Sequence, residues 1–274
     1  PTPGFYGGTP KPRSTMKWWG LFGIAALLAV AFGIGVAKIA GDSGSKEDPK
    51  SAAEEFLEME PKDIVRASEK EMAVVQTAHI TGQFKDSSNG DIVKVDVIST
   101  TRGDCKGTMT STQSGGVAEI IRVGDRSFLR ADAKFWDATS GPGTADTVLP
   151  VIKDRWVEEE SLVEGTEGFC DLDELLERDG RENAEARVLG DDGKGEDHTV
   201  RVEQTQGSEW EVLTIRVAEP HHVIRIDESK DDYFEFSEFD KPAEITVPAA
   251  DEIFDLQGYL DSVKKGTGGA GAKP

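Results

Sequence analysis

The chain has 274 residues with 31 basic and 52 acidic side chains, a net charge of −21. So negative a balance excludes attachment to nucleic acid or to anionic headgroups through a basic face. The first forty residues hold four Lys or Arg and no acid, which leaves 27 basic and 52 acidic residues, or −25, on the remainder. That remainder is long enough for one domain with a sizeable core.

Residues 1–15 are rich in Pro and Gly and lack a hydrophobic period, so they read as a disordered tail. The run Trp18 to Ala37, WWGLFGIAALLAVAFGIGVA, carries no charge. It has the length of about twenty residues that a helix needs to cross roughly 30 Å of hydrocarbon, which sets a transmembrane anchor over 16–40. Lys11, Arg13 and Lys17 precede it, and Asp42, Glu47 and Asp48 follow. That asymmetry puts the N-terminus in the cytoplasm and everything after the run outside the cell membrane. A cleaved signal peptide is the rival, but its apolar region is usually shorter and Lys38 interrupts the small-x-small pattern. No cysteine near the end of the run offers a lipidation site.

Residues 41–61 read as a linker, flexible over Gly41–Pro49 and then a frayed helical piece over Lys50–Pro61. From Lys62 to Thr77, Ile64, Val65, Ser68, Met72 and Val75 recur at helical spacing and predict an amphipathic helix. The period then changes to two. Strands are expected from His79, over DIVKVDVIST, over Cys105–Thr112 and Val117–Val123, and from Ser127 to Ala131, as consecutive antiparallel neighbours. A short helix or turn is expected over Lys134–Ala138 and short helices over Asp146–Lys153 and Asp171–Arg178, with an extended piece at Arg155–Glu158.

Five more strands follow, at Ala184–Leu189, His198–Gln204, Glu209–Val217, Val223–Asp227 and Tyr233–Phe239. Pro242 and Pro248 are expected to end the sheet, and Ile253, Leu256, Leu260 and Val263 to form a terminal helix. Residues 265–274 read as a disordered tail. The order helix, strands, small helices, strands predicts a single α+β domain over 62–264, a large antiparallel sheet with helices on one face.

Cys105 and Cys170 both fall in the part expected outside, where an oxidising compartment favours their pairing; two buried thiols are the alternative. Four histidines occupy no zinc or catalytic spacing. His221 and His222 follow Pro220 and read as an exposed turn. Neither GxSxG nor a phosphate-loop motif occurs, and the carboxylate clusters Glu158–Glu160 and Asp191–Asp192 read as solvated loops. The sequence therefore carries no sign of an enzyme, a metal site or a cofactor.

The segments DCKGTMT, GGVAEIIRVGDRSFLRADAKFW, RWVEEE and FEFSEFDKPAEITVPAADEIFDL resemble, in order and spacing, actinobacterial envelope lipoproteins of the LolA-like, LppX/LprG-like class. The resemblance covers roughly residues 62–257. It implies a strongly curved antiparallel sheet, a half-barrel, with helices covering its concave side, and a role in binding and carrying a lipid, acyl chain or lipoprotein anchor in the envelope. The departure is the tether, since relatives use a lipidated cysteine where this chain has the apolar run.

Alternation places Val93, Val95, Val97, Ile120, Phe128, Leu213, Ile215 and Phe236 on the strand face expected to line such a cavity, with Met72 and Val75 from the covering helix. The competing expectation is an interaction domain with a closed core that docks on another envelope protein.

Overall fold

The computed structural model describes residues 51–86, 89–158, 166, 168–176, 183–255 and 258–259. The expected anchor at Trp18–Ala37, the tails at 1–15 and 265–274 and the stretch Gly41–Pro49 lie outside the described residues. Among the described residues, no helix is long and apolar enough to cross a membrane.

Two runs of hairpins build one sheet. The first comprises β1 (Thr77–Lys85), β2 (Ile92–Thr100), β3 (Cys105–Ser111), β4 (Val117–Val123), β5 (Arg126–Ala131) and β6 (Trp156–Glu158). The second comprises β7 (Glu185–Asp192), β8 (Thr199–Gln206), β9 (Glu209–Arg216), β10 (Val223–Asp227) and β11 (Tyr233–Ser237). Each strand pairs antiparallel with its successor within a run; short connections join them except between β5 and β6, where residues 132–155 intervene. A long-range pairing of β1 with β11, Ile80 opposite Phe236, joins the two runs.

A last short strand, β12 (Ile253–Phe254), pairs parallel with β6 and completes the order β12-β6-β5-β4-β3-β2-β1-β11-β10-β9-β8-β7. The sheet therefore does not end at Pro242 and Pro248, and Ile253 begins a strand, whereas Leu256, Leu260 and Val263 of the expected terminal helix lie outside the described residues. The chain between β11 and β12 crosses the sheet, and its Ile245 and Val247 pack with Ile253 against Ile121, Phe128 and Trp156. A two-residue strand has too little period to be seen in a sequence; only its neighbour β6 defines it.

Helices among the described residues include α1 (Ala52–Leu57), α2 (Pro61–Met72), α3 (Ala133–Ser140), α4 (Thr144–Ile152) and α5 (Leu172–Leu176). Pro61 opens α2, where its missing N–H is no loss, and Ile64, Val65, Ser68 and Met72 form the buried face. The Asp132 carboxylate accepts the Phe135 N–H at the start of α3, and the Asp137 carboxylate accepts the Ala145 N–H in α4. α2 packs on β7 and β10, whereas α3 packs on β4 and α4, and α5 on β2. Two groups of helices thus cover different parts of the same face.

One expectation is corrected at α1. Lys50–Pro61 is not simply linker, because Phe56 is 4% exposed, belongs to the core, and stacks on the His221 ring with centroids 3.8 Å apart. The His221–His222 pair is correspondingly no exposed turn. His222 is buried against the Phe239 ring, centroids 4.2 Å apart, and its Nδ1 has no hydrogen-bond partner.

Burial lowers the His222 pKa, Arg216 lowers it further, and Asp240 and Glu71 oppose them only in part. A depressed histidine means that the unfolded chain takes up the proton first. Stability is therefore complete above the unfolded value of 6.5 and is lost as pH falls below it towards the folded value. The urea midpoint is expected to fall between about pH 8 and about pH 5.5, and His222→Gln to flatten much of that slope. An unchanged slope in the variant would assign the effect to other groups.

Candidate functional site

The helix-covered face is the concave one. Gly82 pairs with Val95 and Phe234, and Gly107 with Val97 and Ile120, so both glycines stand on the face that carries those buried residues. A β-carbon on Gly82 would meet Phe234 Cα at 3.0 Å, and one on Gly107 would meet Val97 Cα at 2.6 Å. Neighbouring backbone closes over these positions because the sheet curls towards this side, and only glycine leaves room for it.

The concave wall is a continuous apolar surface. Val93, Val95, Val97, Ile120, Leu213, Ile215 and Phe236 from the strands share one core cluster with Met72 and Val75 from the helical segment, and each is nearly or wholly buried. The structure therefore brings together these residues that alternation assigned to one face. Ala78, Ile80, Met109, Ala118, Leu129, Val157, Val200, Val202, Ile226 and Phe234 complete the surface.

Phe128 is a correction. It pairs with Ile121, and with Trp156 it belongs to the separate cluster on the convex side. Its place in the concave wall is taken by Leu129, which pairs with Ile120. Two adjacent large apolar residues in Ser127–Arg130 leave the face undetermined by alternation, and a one-residue slip exchanges them. On the convex side Arg126 and Arg130 lie over the Phe128 and Trp156 rings, at 4.8 and 4.5 Å from the ring centroids.

The disulfide joins Cys105 on β3 to Cys170, with Cα atoms 5.0 Å apart and both residues fully buried. It ties the segment Gly168–Asp171 to the rim of the concave face, where the Ser99 hydroxyl also donates to the Phe169 carbonyl at 2.6 Å. The expected pairing of Cys105 with Cys170 is present. Along this rim, Ala78, Ser99, Cys105, Arg122 and Ser127 stand side by side on successive strands. The periodicity does not mark Arg122 as a wall residue, since a charged side chain at the end of a strand reads as solvated.

Polar pairs occupy the convex side. The Arg187 guanidinium binds the Glu203 carboxylate, which holds that carboxyl below its ordinary range. Arg225 binds Asp227 and Glu235 and covers the Tyr233 ring at 3.9 Å. His79 contacts Asp96 at 2.7 Å on this side, whereas His198, which contacts Asp191 at 2.9 Å, lies just before β8, with Asp191 opposite Val200 on the other face. Among the described residues, no group of three His, Cys, Asp or Glu is gathered as a metal site.

No protein-family model and no curated protein sequence matches the chain. Among solved structures it is similar to the lipoprotein LppX of Mycobacterium tuberculosis, with 15% identity over 68% of this chain and 97% of that one and a TM-score of 0.45. It is also similar to LprF of Mycobacterium bovis, with 14% identity over 69% and 97% of the two chains and a TM-score of 0.42. A chain of the MucA/MucB complex of Pseudomonas aeruginosa aligns at 12% identity over 70% and 59%, with a TM-score of 0.29. Structures of the LppX/LprG-like class, which the sequence motifs resemble, are thus among its structural neighbours.

Proposed function

We propose that this domain binds a lipid or other hydrophobic ligand between its concave sheet and the covering helices. In this reading it is a non-enzymatic member of a lipid or lipoprotein transport route in the cell envelope, held at the membrane by Trp18–Ala37. The observation that carries the reading is the continuous apolar concave surface, which runs beneath two separate groups of helices, α2 over β7 and β10 on one side and α3 to α5 over β4 and β2 on the other. Helices that each lean on part of a curved sheet can separate from one another without breaking a strand ladder, so an acyl chain has a route to the apolar wall. The motif resemblance in the sequence supports the same ligand class.

Two measurements test it. The full chain, purified and examined by native mass spectrometry and organic extraction, is expected to carry copurifying lipid. After lipid removal it is expected to bind a fluorescent fatty acid and to melt at a higher temperature when lipid is added. No copurified lipid, no probe binding and an unmoved melting curve together would overturn the reading in favour of a closed interaction domain.

A further inference from the structure

One cation at the rim of the concave face stands apart from the arginines of the convex side. On that side Arg126, Arg130, Arg187 and Arg225 each hold a carboxylate. Arg122, on the concave side with Ile120, is half-buried, and its Nε and Nη1 are fully buried with no hydrogen-bond partner. Ser127 stands directly opposite it on β5, is 3% exposed, and its hydroxyl likewise has no partner. Side chains opposite one another in an antiparallel pair are about 5 Å apart at their β-carbons, so the guanidinium and the hydroxyl can reach one group.

The hydrogen bonds of the neighbouring carboxylates go to groups other than Arg122. Asp171 Oδ1 accepts the N–H groups of Asp173 and Glu174 at the start of α5. Its Oδ2 and Arg122 Nη2 lie on the same side of Gly103, 3.6 and 3.7 Å from the point its β-carbon would occupy, without forming an ion pair. Asp104 pairs with Arg102 at 3.2 Å and accepts the Gly124 N–H at 2.9 Å. Buried guanidinium N–H donors without an acceptor are costly, and they match the planar, two-oxygen geometry of a carboxylate or a phosphate.

We propose that Arg122 and Ser127 form an oxyanion site at the rim of the concave face, taking the carboxylate or phosphate head of an acyl ligand whose chain lies along Ile120 and Leu129. The assignment rests on the hydrophobic-ligand reading above and narrows it to anionic amphiphiles. It also explains how a domain of strongly negative net charge accepts an anion: a local, preorganised cation outweighs a distant, solvent-screened field.

The test compares cis-parinaric acid with its uncharged methyl ester on the full chain. Wild type is expected to bind the acid at least about tenfold more tightly than the ester. Arg122→Met keeps the length of the side chain and removes an unpaired charge, so folding does not depend on it. In that variant the acid is expected to fall to the affinity of the ester while the ester is unchanged, and Ser127→Ala to lose about threefold for the acid alone. Hexadecyl phosphate displacing the probe better than palmitate identifies a phosphate head, the reverse a fatty acid; hexadecanol displacing as well as both overturns the site. The same acid-to-ester ratio in wild type and Arg122→Met also overturns it while leaving the hydrophobic-ligand reading in place. Wild type binding neither probe overturns that reading and the oxyanion site with it.

Discussion

Gly107→Ala is expected to destabilise the domain by about 3 kcal/mol or more, because the added methyl group must push apart two paired strands whose backbone cannot yield independently. In the native sheet its β-carbon would stand 2.6 Å from Val97 Cα, in the middle of the β2–β3–β4 ladder. The measurement is urea unfolding, read as a shift of midpoint at constant slope. Gly168→Ala is the control: its β-carbon meets nothing within 4 Å, so the stability should change by less than about 0.5 kcal/mol. Equal effects of the two substitutions would show that the curl of the sheet does not depend on Gly107. Since that curl makes the concave face, Gly107→Ala should also weaken binding of a fatty-acid probe under conditions where the protein remains folded.

Removing the disulfide with Cys105→Ala and Cys170→Ala is expected to lower stability by roughly 4 kcal/mol, the value for closing a loop of this size in the unfolded chain. The two cysteines are 65 residues apart in sequence. Because both are fully buried, reductant should act on the unfolded protein far faster than on the native one, so unfolding curves of the wild type with reductant should approach those of the double variant. A loss below about 1 kcal/mol would mean that the contacts of Gly168–Asp171, among them the Ser99–Phe169 hydrogen bond, hold the rim without the covalent link. In that case binding of the acyl probe should survive as well.

Much of the fold is legible in the chain because hairpins are local. The strands at Val117–Val123 and Val223–Asp227 coincide with the stretches that alternation marks, and the others differ by a few residues at their ends. The helix at Pro61–Met72 follows from apolar spacing, its start set by a proline. The apolar residues of the candidate wall are legible for the same reason: Val93, Val95 and Val97, or Leu213 and Ile215, can face only one side together.

What alternation cannot provide is which of two adjacent apolar residues turns inward, as at Phe128 and Leu129. Nor does it reveal a partner distant in sequence, as where Phe56 meets His221 and Ile253 meets Trp156.

By itself, then, the sequence determined the α+β class, the order of strands within each run, the helix that covers them and the apolar content of one sheet face. It also marked Cys105 and Cys170 as candidates for pairing. These are consequences of periodicity and composition, properties carried by neighbouring residues. Only the tertiary structure decided that β1 meets β11 to join two runs into one sheet, that the sheet curls over Gly82 and Gly107, that the chain after Pro248 returns as β12, and that Arg122 stands beside Ser127 with two buried N–H groups unpartnered. Each depends on residues far apart in the chain or on adjacent strands, and their proximity follows from register and curvature, which no local pattern encodes.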